Sequence, residues 1–283
     1  MHEPMLKTLA SLLPDDPVME RAVDSLTLER SDLGYDPWGF HADHCKGSAK
    51  LAHYIYRYFR PKIHGIENLP PGRVLVVPNH SGQLPLDGVV VATACMLEAK
   101  PPRLVRGMAE RWFSRLPYLS EVFARSGSVL GDPVNCRNLL EADNAILVFP
   151  EGARGSGKTW DQRYRLQPFG RGFMRLALQT RTPIVPVAVI GAEESIISIH
   201  DAKVLSKLLR TPYWPIPPHL PLFGLLAYAP LPTRFHVTFG PPMHFDGPWD
   251  DEDQAIDEKV RVVMDRIQSM IDEGLRRRTS VFA

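Results

Sequence analysis

Apolar positions along the chain recur with two different periods, and the changes between them mark its elements. Residues 17–30 and 43–60 read as helices. In the second, Leu51, Tyr54, Ile55, Tyr58 and Phe59 keep the i, i+3, i+4, i+7, i+8 spacing of one helical face. Lys46, Lys50, His53, Arg57 and Arg60 fall on the opposite side. A basic amphipathic helix of this kind suits a membrane interface. It equally suits a helix docked on a core with a solvated basic face.

From residue 62 the texture becomes alternating strand and helix. Arg73 to Pro78, Ala145 to Phe149 and Ile184 to Ile190 are short β-branched runs expected to be buried strands, and Phe235 to Phe239 is a later one. Asp87 to Glu98 and Phe173 to Gln179 between them read as helices. The tail forms a C-terminal helix over 250–278, acidic at its start and basic at its end, with Ile256, Val260, Val263, Ile267 and Ile271 as its buried stripe. The pattern predicts an α/β fold: a central mixed, mostly parallel sheet flanked by helices, with N-terminal helices and a C-terminal helix. It divides the chain into an N-terminal helical segment, 1–60, able to contact a membrane, and a main domain, 61–283.

The stretch from Thr211 to Thr233 holds no Asp, Glu, Lys or Arg and is long enough to span a bilayer. Its seven prolines resist helix formation, so it reads as an extended, apolar surface arm, or as a proline-rich loop packed on the core. The N-terminus meets Pro14, Asp15 and Asp16 before an adequate apolar run develops, which makes a poor signal peptide. The 33 basic and 32 acidic residues leave a net charge of +1, so nothing broad attracts nucleic acid. Cys45, Cys95 and Cys136 form no disulfide framework, in keeping with a reducing compartment. A cytoplasmic protein peripheral to a membrane is the expectation.

Two segments carry candidate chemistry. Asn79-His80-Ser81-Gly82-Gln83-Leu84-Pro85-Leu86-Asp87 follows a strand, where open α/β sheets bind ligands. Imidazole titrates near neutrality, so His80 suits a general base, with a carboxylate on its far nitrogen to fix the tautomer. Phe149 to Thr159 follows another strand. Its glycines free backbone N–H groups while Arg154 and Lys158 add charge, as in a loop that binds a phosphate or a phosphorylated ligand. Gly152 to Thr159 also satisfies the G-x-x-x-x-G-K-T pattern of a nucleotide-binding P-loop. That motif needs a helix starting at its Lys-Thr, and Trp160 to Gly170 shows no helical periodicity. His41, Asp43, His44 and Cys45 lack the second ligand cluster a metal site needs, and His200-Asp201 stands alone.

Taken together, Asn79-His80 with Asp87 and Phe149-Pro150-Glu151-Gly152-Ala153-Arg154-Gly155 resemble two motifs of the lysophospholipid and glycerolipid acyltransferase superfamily, which has a PlsC-type domain. Gly127 to Gly131 with Asn135 to Leu140, and Thr182 to Val187, resemble two further motifs in the same order. The proline-rich arm followed by Phe239-Gly240-Pro241-Pro242 looks most like the monoacylglycerol and diacylglycerol acyltransferase-like branch. The resemblance implies acyl-CoA or acyl carrier protein as donor, a glycerolipid hydroxyl as acceptor, no cofactor and no metal. It makes His80 and Asp87 catalytic, and Asn79, Glu151, Gly152, Arg154 and Lys158 substrate-binding. One departure stands out. Six residues separate His80 from Asp87 where the family has four, adding up to about 7 Å of chain. Asp87 either reaches back across a bulged loop or caps the helix that follows. A P-loop-like NTPase and a non-catalytic lipid-binding module are the alternative functions.

Overall fold

The computed structural model describes residues 13–110, 123–209 and 211–282. Most of the stretch weighed as a signal peptide lies outside them. In chain order the elements are α1 (Pro17–Asp24), α2 (Ala42–Phe59), β1 (Lys62–His64), β2 (Val74–Pro78), α3 (Leu86–Leu97), β3 (Val105–Ala109), β4 (Val129–Leu130) and α4 (Pro133–Glu141). There follow β5 (Ala145–Leu147), α5 (Ala153–Ser156), α6 (Gly172–Thr180), β6 (Ile184–Ile190), α7 (Ala192–Ser195), β7 (His200–Asp201), α8 (Lys203–Leu209), β8 (Pro215–Ile216), α9 (Leu220–Phe223), β9 (His236–Phe239) and α10 (Asp253–Arg277).

Seven strands form one sheet in the order β1-β9-β6-β2-β5-β3-β4. Every neighbouring pair is parallel except β6 with β9. The expected mixed, mostly parallel sheet is therefore the observed one. β2 lies at its centre, with Val76 opposite Leu147 of β5 and Val185 of β6. Because β2 and β5 run parallel, the loops beyond their carboxyl ends leave the same edge side by side. That juxtaposition builds the site.

Both faces of the sheet are covered, so its central strands are buried throughout. Side chains still alternate. Leu75 and Val77 join Ile146, Ile184 and Ala188 under α4, α6 and α10, while Val74 and Val76 join Leu147, Val185 and Val187 under α2 and α3. The α10 stripe of Ile256, Val260, Val263, Ile267 and Ile271 is buried as its spacing predicts. Each such side chain contributes about 1.5–3 kcal/mol of burial.

Four elements differ from expectation. α1 ends at Asp24 with Ser25 as its C-cap, whose N–H bonds to Arg21 O at 3.0 Å and whose hydroxyl bonds to Ala22 O at 2.8 Å. Leu26 then enters a separate N-terminal cluster with Met19, Val23, Phe40 and Cys45. α2 buries Tyr56 and Phe59 with Ile55 packed beside them, but Leu51 and Tyr58 of the expected face stay exposed and Lys50, expected on the solvated side, is buried. β5 stops at Leu147, which frees Phe149 to leave the sheet. The proline-rich arm is not extended: β8 pairs antiparallel with β7, and two short helical turns follow, α9 and a 3-10 turn at Gly224–Tyr228. Pro221 falls in the first turn of α9, where its missing N–H costs nothing. Among the described residues no helix is long and apolar enough to cross a membrane.

Candidate active site

At the end of β2, Asn79 replaces the sheet ladder with its side chain. Its amide donates to Val189 O at 3.0 Å and accepts from Val189 N at 2.7 Å, and it is fully buried. Both polar ends are therefore committed to β6, and the backbone is free to turn outward at His80.

His80 is held from three sides. Its Nδ1 lies 2.7 Å from Asp87 Oδ2, so the two residues meet despite the long spacer. An ionised carboxylate only accepts, so in the neutral imidazole Nδ1 carries the proton and Nε2 keeps a lone pair. The ring stacks on Phe149 with centroids 4.1 Å apart. Its backbone N–H donates to Glu151 Oε1 at 2.7 Å. Asp87 also accepts from Ser81 N at 2.8 Å and, through Oδ1, from Gly88 N at 2.8 Å. It lies in the first turn of α3, whose N-cap position is Pro85, so Asp87 orients His80 and is not the helix cap.

The six-residue spacer is accommodated by a bulge. Gly82 (φ +92°) and Gln83 (φ +64°) take left-handed backbone, and a Cβ at Gly82 would lie 2.7 Å from Ala192 O. Gln83 then knots three segments together. Its N–H donates to Ser156 O at 3.2 Å, its side-chain amide donates to Lys158 O at 2.6 Å, and its carbonyl accepts from the Tyr213 hydroxyl at 2.6 Å. Gln83 and Tyr213 carry no motif, and nothing in the sequence pointed to either.

The Glu151 loop serves His80 more than it faces solvent. Glu151 is buried, and its Oε2 accepts from Gln167 N at 2.7 Å and lies 3.5 Å from Lys158 Nζ. Lys158 is buried too, with Nζ 2.6 Å from Glu193 Oε1. Gly152 (φ +56°) makes the sharp turn into α5. Gly155 lies directly against the catalytic candidate, since a Cβ there would lie 2.8 Å from His80 Cβ and 2.6 Å from Glu151 Cβ. Arg154 stands exposed and donates to Pro168 O at 2.9 Å. The P-loop pattern does not fold as one: a three-residue 3-10 turn, Trp160–Gln162, follows Thr159, and the lysine ammonium faces carboxylates.

Electrostatics favour the charged imidazole. Burial of His80 pushes its pKa down, but the charge and hydrogen bond of Asp87, with the charges of Glu151 and Glu110, outweigh it and hold the pKa above the ordinary histidine value. Glu110 on the β3 side had no sequence signal; its carboxylate lies 3.5 Å from where a Gly152 Cβ would be. Upstream, His41 caps α2 by accepting from His44 N at 3.4 Å. Among the described residues no group of three or more His, Cys, Asp or Glu side chains could hold a metal.

A strand-end His–Asp pair, braced by a Glu on the next parallel strand's loop, forms the candidate site. The family described as Acyltransferase matches residues 60–190. An uncharacterized protein of Mycobacterium tuberculosis is 37% identical over 75% of this chain and 59% of its own length. A Gallus gallus protein described as a DGAT1/2-independent enzyme synthesizing storage lipids is 26% identical over 65% of this chain and 52% of its own. The chain thus spans between half and three-fifths of these relatives. The crystal structure of the 1-acyl-sn-glycerophosphate acyltransferase PlsC from Thermotoga maritima superimposes with a TM-score of 0.53 over 83% of each chain, at 15% identity, which establishes a shared fold. Residues 60–190 thus resemble an Acyltransferase domain on a PlsC-type fold.

Proposed function

We propose that the protein moves a fatty acyl group from an acyl thioester, acyl-CoA or acyl carrier protein, to the hydroxyl of a glycerolipid at a membrane surface. The observation that carries this is the 2.7 Å contact of His80 Nδ1 with Asp87, which leaves Nε2 as the base. Nε2 takes the acceptor's proton as that oxygen attacks the thioester carbonyl. The tetrahedral adduct collapses, the C–S bond breaks, and the departing thiolate takes the proton back from the imidazolium. No covalent enzyme intermediate and no metal enter this sequence. Asp87 orients the ring and supports its charge, a role worth about 10²–10⁴-fold together with the base.

Asn79, Glu151 and Lys158 act behind His80 in this scheme, since their polar atoms are buried and engaged. Arg154 is the exposed cation able to meet an acceptor's phosphate. The name of the Thermotoga protein favours a phosphorylated acceptor and that of the Gallus protein a neutral one.

Thiol release from acyl-CoA and acyl carrier protein, measured across lysophospholipids, glycerol 3-phosphate, mono- and diacylglycerol, tests the proposal. Release with at least one acceptor is expected, with His80→Ala lowering it by about 10²-fold or more. Arg154→Ala is expected to raise KM for phosphorylated acceptors and leave neutral ones unchanged. Equal turnover by His80→Ala and the unaltered chain would overturn the assignment of the base.

A further inference from the structure

The arm following β8 exposes what a folded domain ordinarily hides. Residues 221–226 are all exposed, and they include Leu222 at 83%, Phe223 at 59%, Leu225 at 85% and Leu226 at 75%. This tip is built rather than loose. Ala227 behind it is buried, His219 Nε2 lies 3.0 Å from Ala227 O, and the Tyr228 hydroxyl donates to Pro215 O at 2.9 Å. Beyond it the Tyr58 hydroxyl and Arg60 donate to Pro230 O and Pro232 O at 2.6 and 2.7 Å, tying the returning segment to the end of α2. Four large apolar side chains on a braced tip mark an interaction surface.

The chain on either side of the tip carries charge of one sign. No Asp or Glu occurs from Ala202 to Phe245, although the whole chain is nearly neutral. α8, just before the arm, sets exposed Val204 (85%) and Leu208 (76%) beside exposed Lys203 and Lys207, one helical turn apart in each pair. Apolar side chains flanked by lysines match a bilayer with anionic headgroups, where each basic residue near the surface adds to the apolar insertion. The arm is also joined to the chemistry, because Tyr213 at its root bonds to Gln83 in the loop between His80 and Asp87.

We propose that the 221–226 tip, together with the Val204–Leu208 face of α8, docks the protein on an anionic lipid surface and thereby presents His80 to acceptors held in that surface. The proposal deepens the acyl-transfer function above and rests on it only for the second clause.

Flotation of the full chain with phosphatidylcholine vesicles, with and without phosphatidylglycerol, tests the docking. The unaltered protein is expected to float with the anionic vesicles. Leu225→Glu/Leu226→Glu and Val204→Glu/Leu208→Glu are each expected to weaken partition on the order of tenfold or more. Thiol release should fall in parallel when the acceptor is in those vesicles and stay unchanged when it is dispersed in detergent. An unaltered protein that stays soluble with anionic vesicles, or variants that float equally well, would overturn the proposal. So would a dimer in sedimentation that the glutamate variants split, since a second copy would then cover the tip. Flotation of the unaltered chain, lost in the variants, without turnover on any acceptor would retain the docking surface and sink the acyl transfer.

Discussion

His80 illustrates how one residue's protonation links to both rate and stability. As a base it works when neutral, and its pKa is held above the ordinary value of about 6.5. Activity is therefore expected to rise with pH through a midpoint above about 6.5 in the kcat/KM profile. Asp87→Asn removes the first of the influences that raise that pKa and leaves burial to lower it. The midpoint should move to lower pH while kcat falls, because the ring loses its support. The stabilising effect has the opposite pH sense. A group whose pKa rises on folding stabilises most below its unfolded value, and that contribution fades as pH climbs through the folded value. Thermal melts across pH, compared with Asp87→Asn, measure it.

At the scale of elements, the site depends on two loops leaving adjacent parallel strands at touching distance. Gly155 is where they meet, and the atoms a Cβ would strike, His80 Cβ and Glu151 Cβ, sit at the roots of their side chains. Neither can swing away. Gly155→Ala is expected to leave the chain folded by circular dichroism and to lower kcat on the order of 10²-fold by displacing His80. A kcat unchanged by this substitution would mean that the loops do not need their close approach. The α2 helix makes a related point. Its spacing left membrane and core docking open, and the helix buries Tyr56 and Phe59 while Leu51 and Tyr58 stay exposed.

Across the whole molecule, polar contacts fasten the outer layers to the sheet. Arg106 on β3 is buried, pairs with Asp36 ahead of α2 and donates to Asn144 Oδ1 at 2.9 Å. Arg278, just past α10, donates to both carboxylate oxygens of Glu194 at 2.5 and 2.6 Å. Asp36→Ala would strand the buried guanidinium and is expected to cost about 3–5 kcal/mol, read as a lower denaturation midpoint in urea. A shift near zero would show that water reaches Arg106 once its partner is gone.

The periodic content of the chain determined the layers. A stripe at helical spacing over 256–271 and β-branched runs at 74–78 and 184–190 have one favourable use each, burial against a sheet or within it. The residues after β2 and β5 marked His80, Asp87 and Glu151 only as a pair of motifs that resemble a known family, since a lone His after a strand is as readily a structural hydrogen-bonder. Tertiary structure alone decided the partnerships. That Glu151 braces the His80 backbone, that Asp87 spans a six-residue spacer, and that Gln83 and Tyr213 join loop to arm all follow from distances between segments far apart in sequence. Local pattern encodes which face an element turns inward. Which loops then touch is set by strand order, and β2 gains β5 and β6 as neighbours only when the sheet assembles.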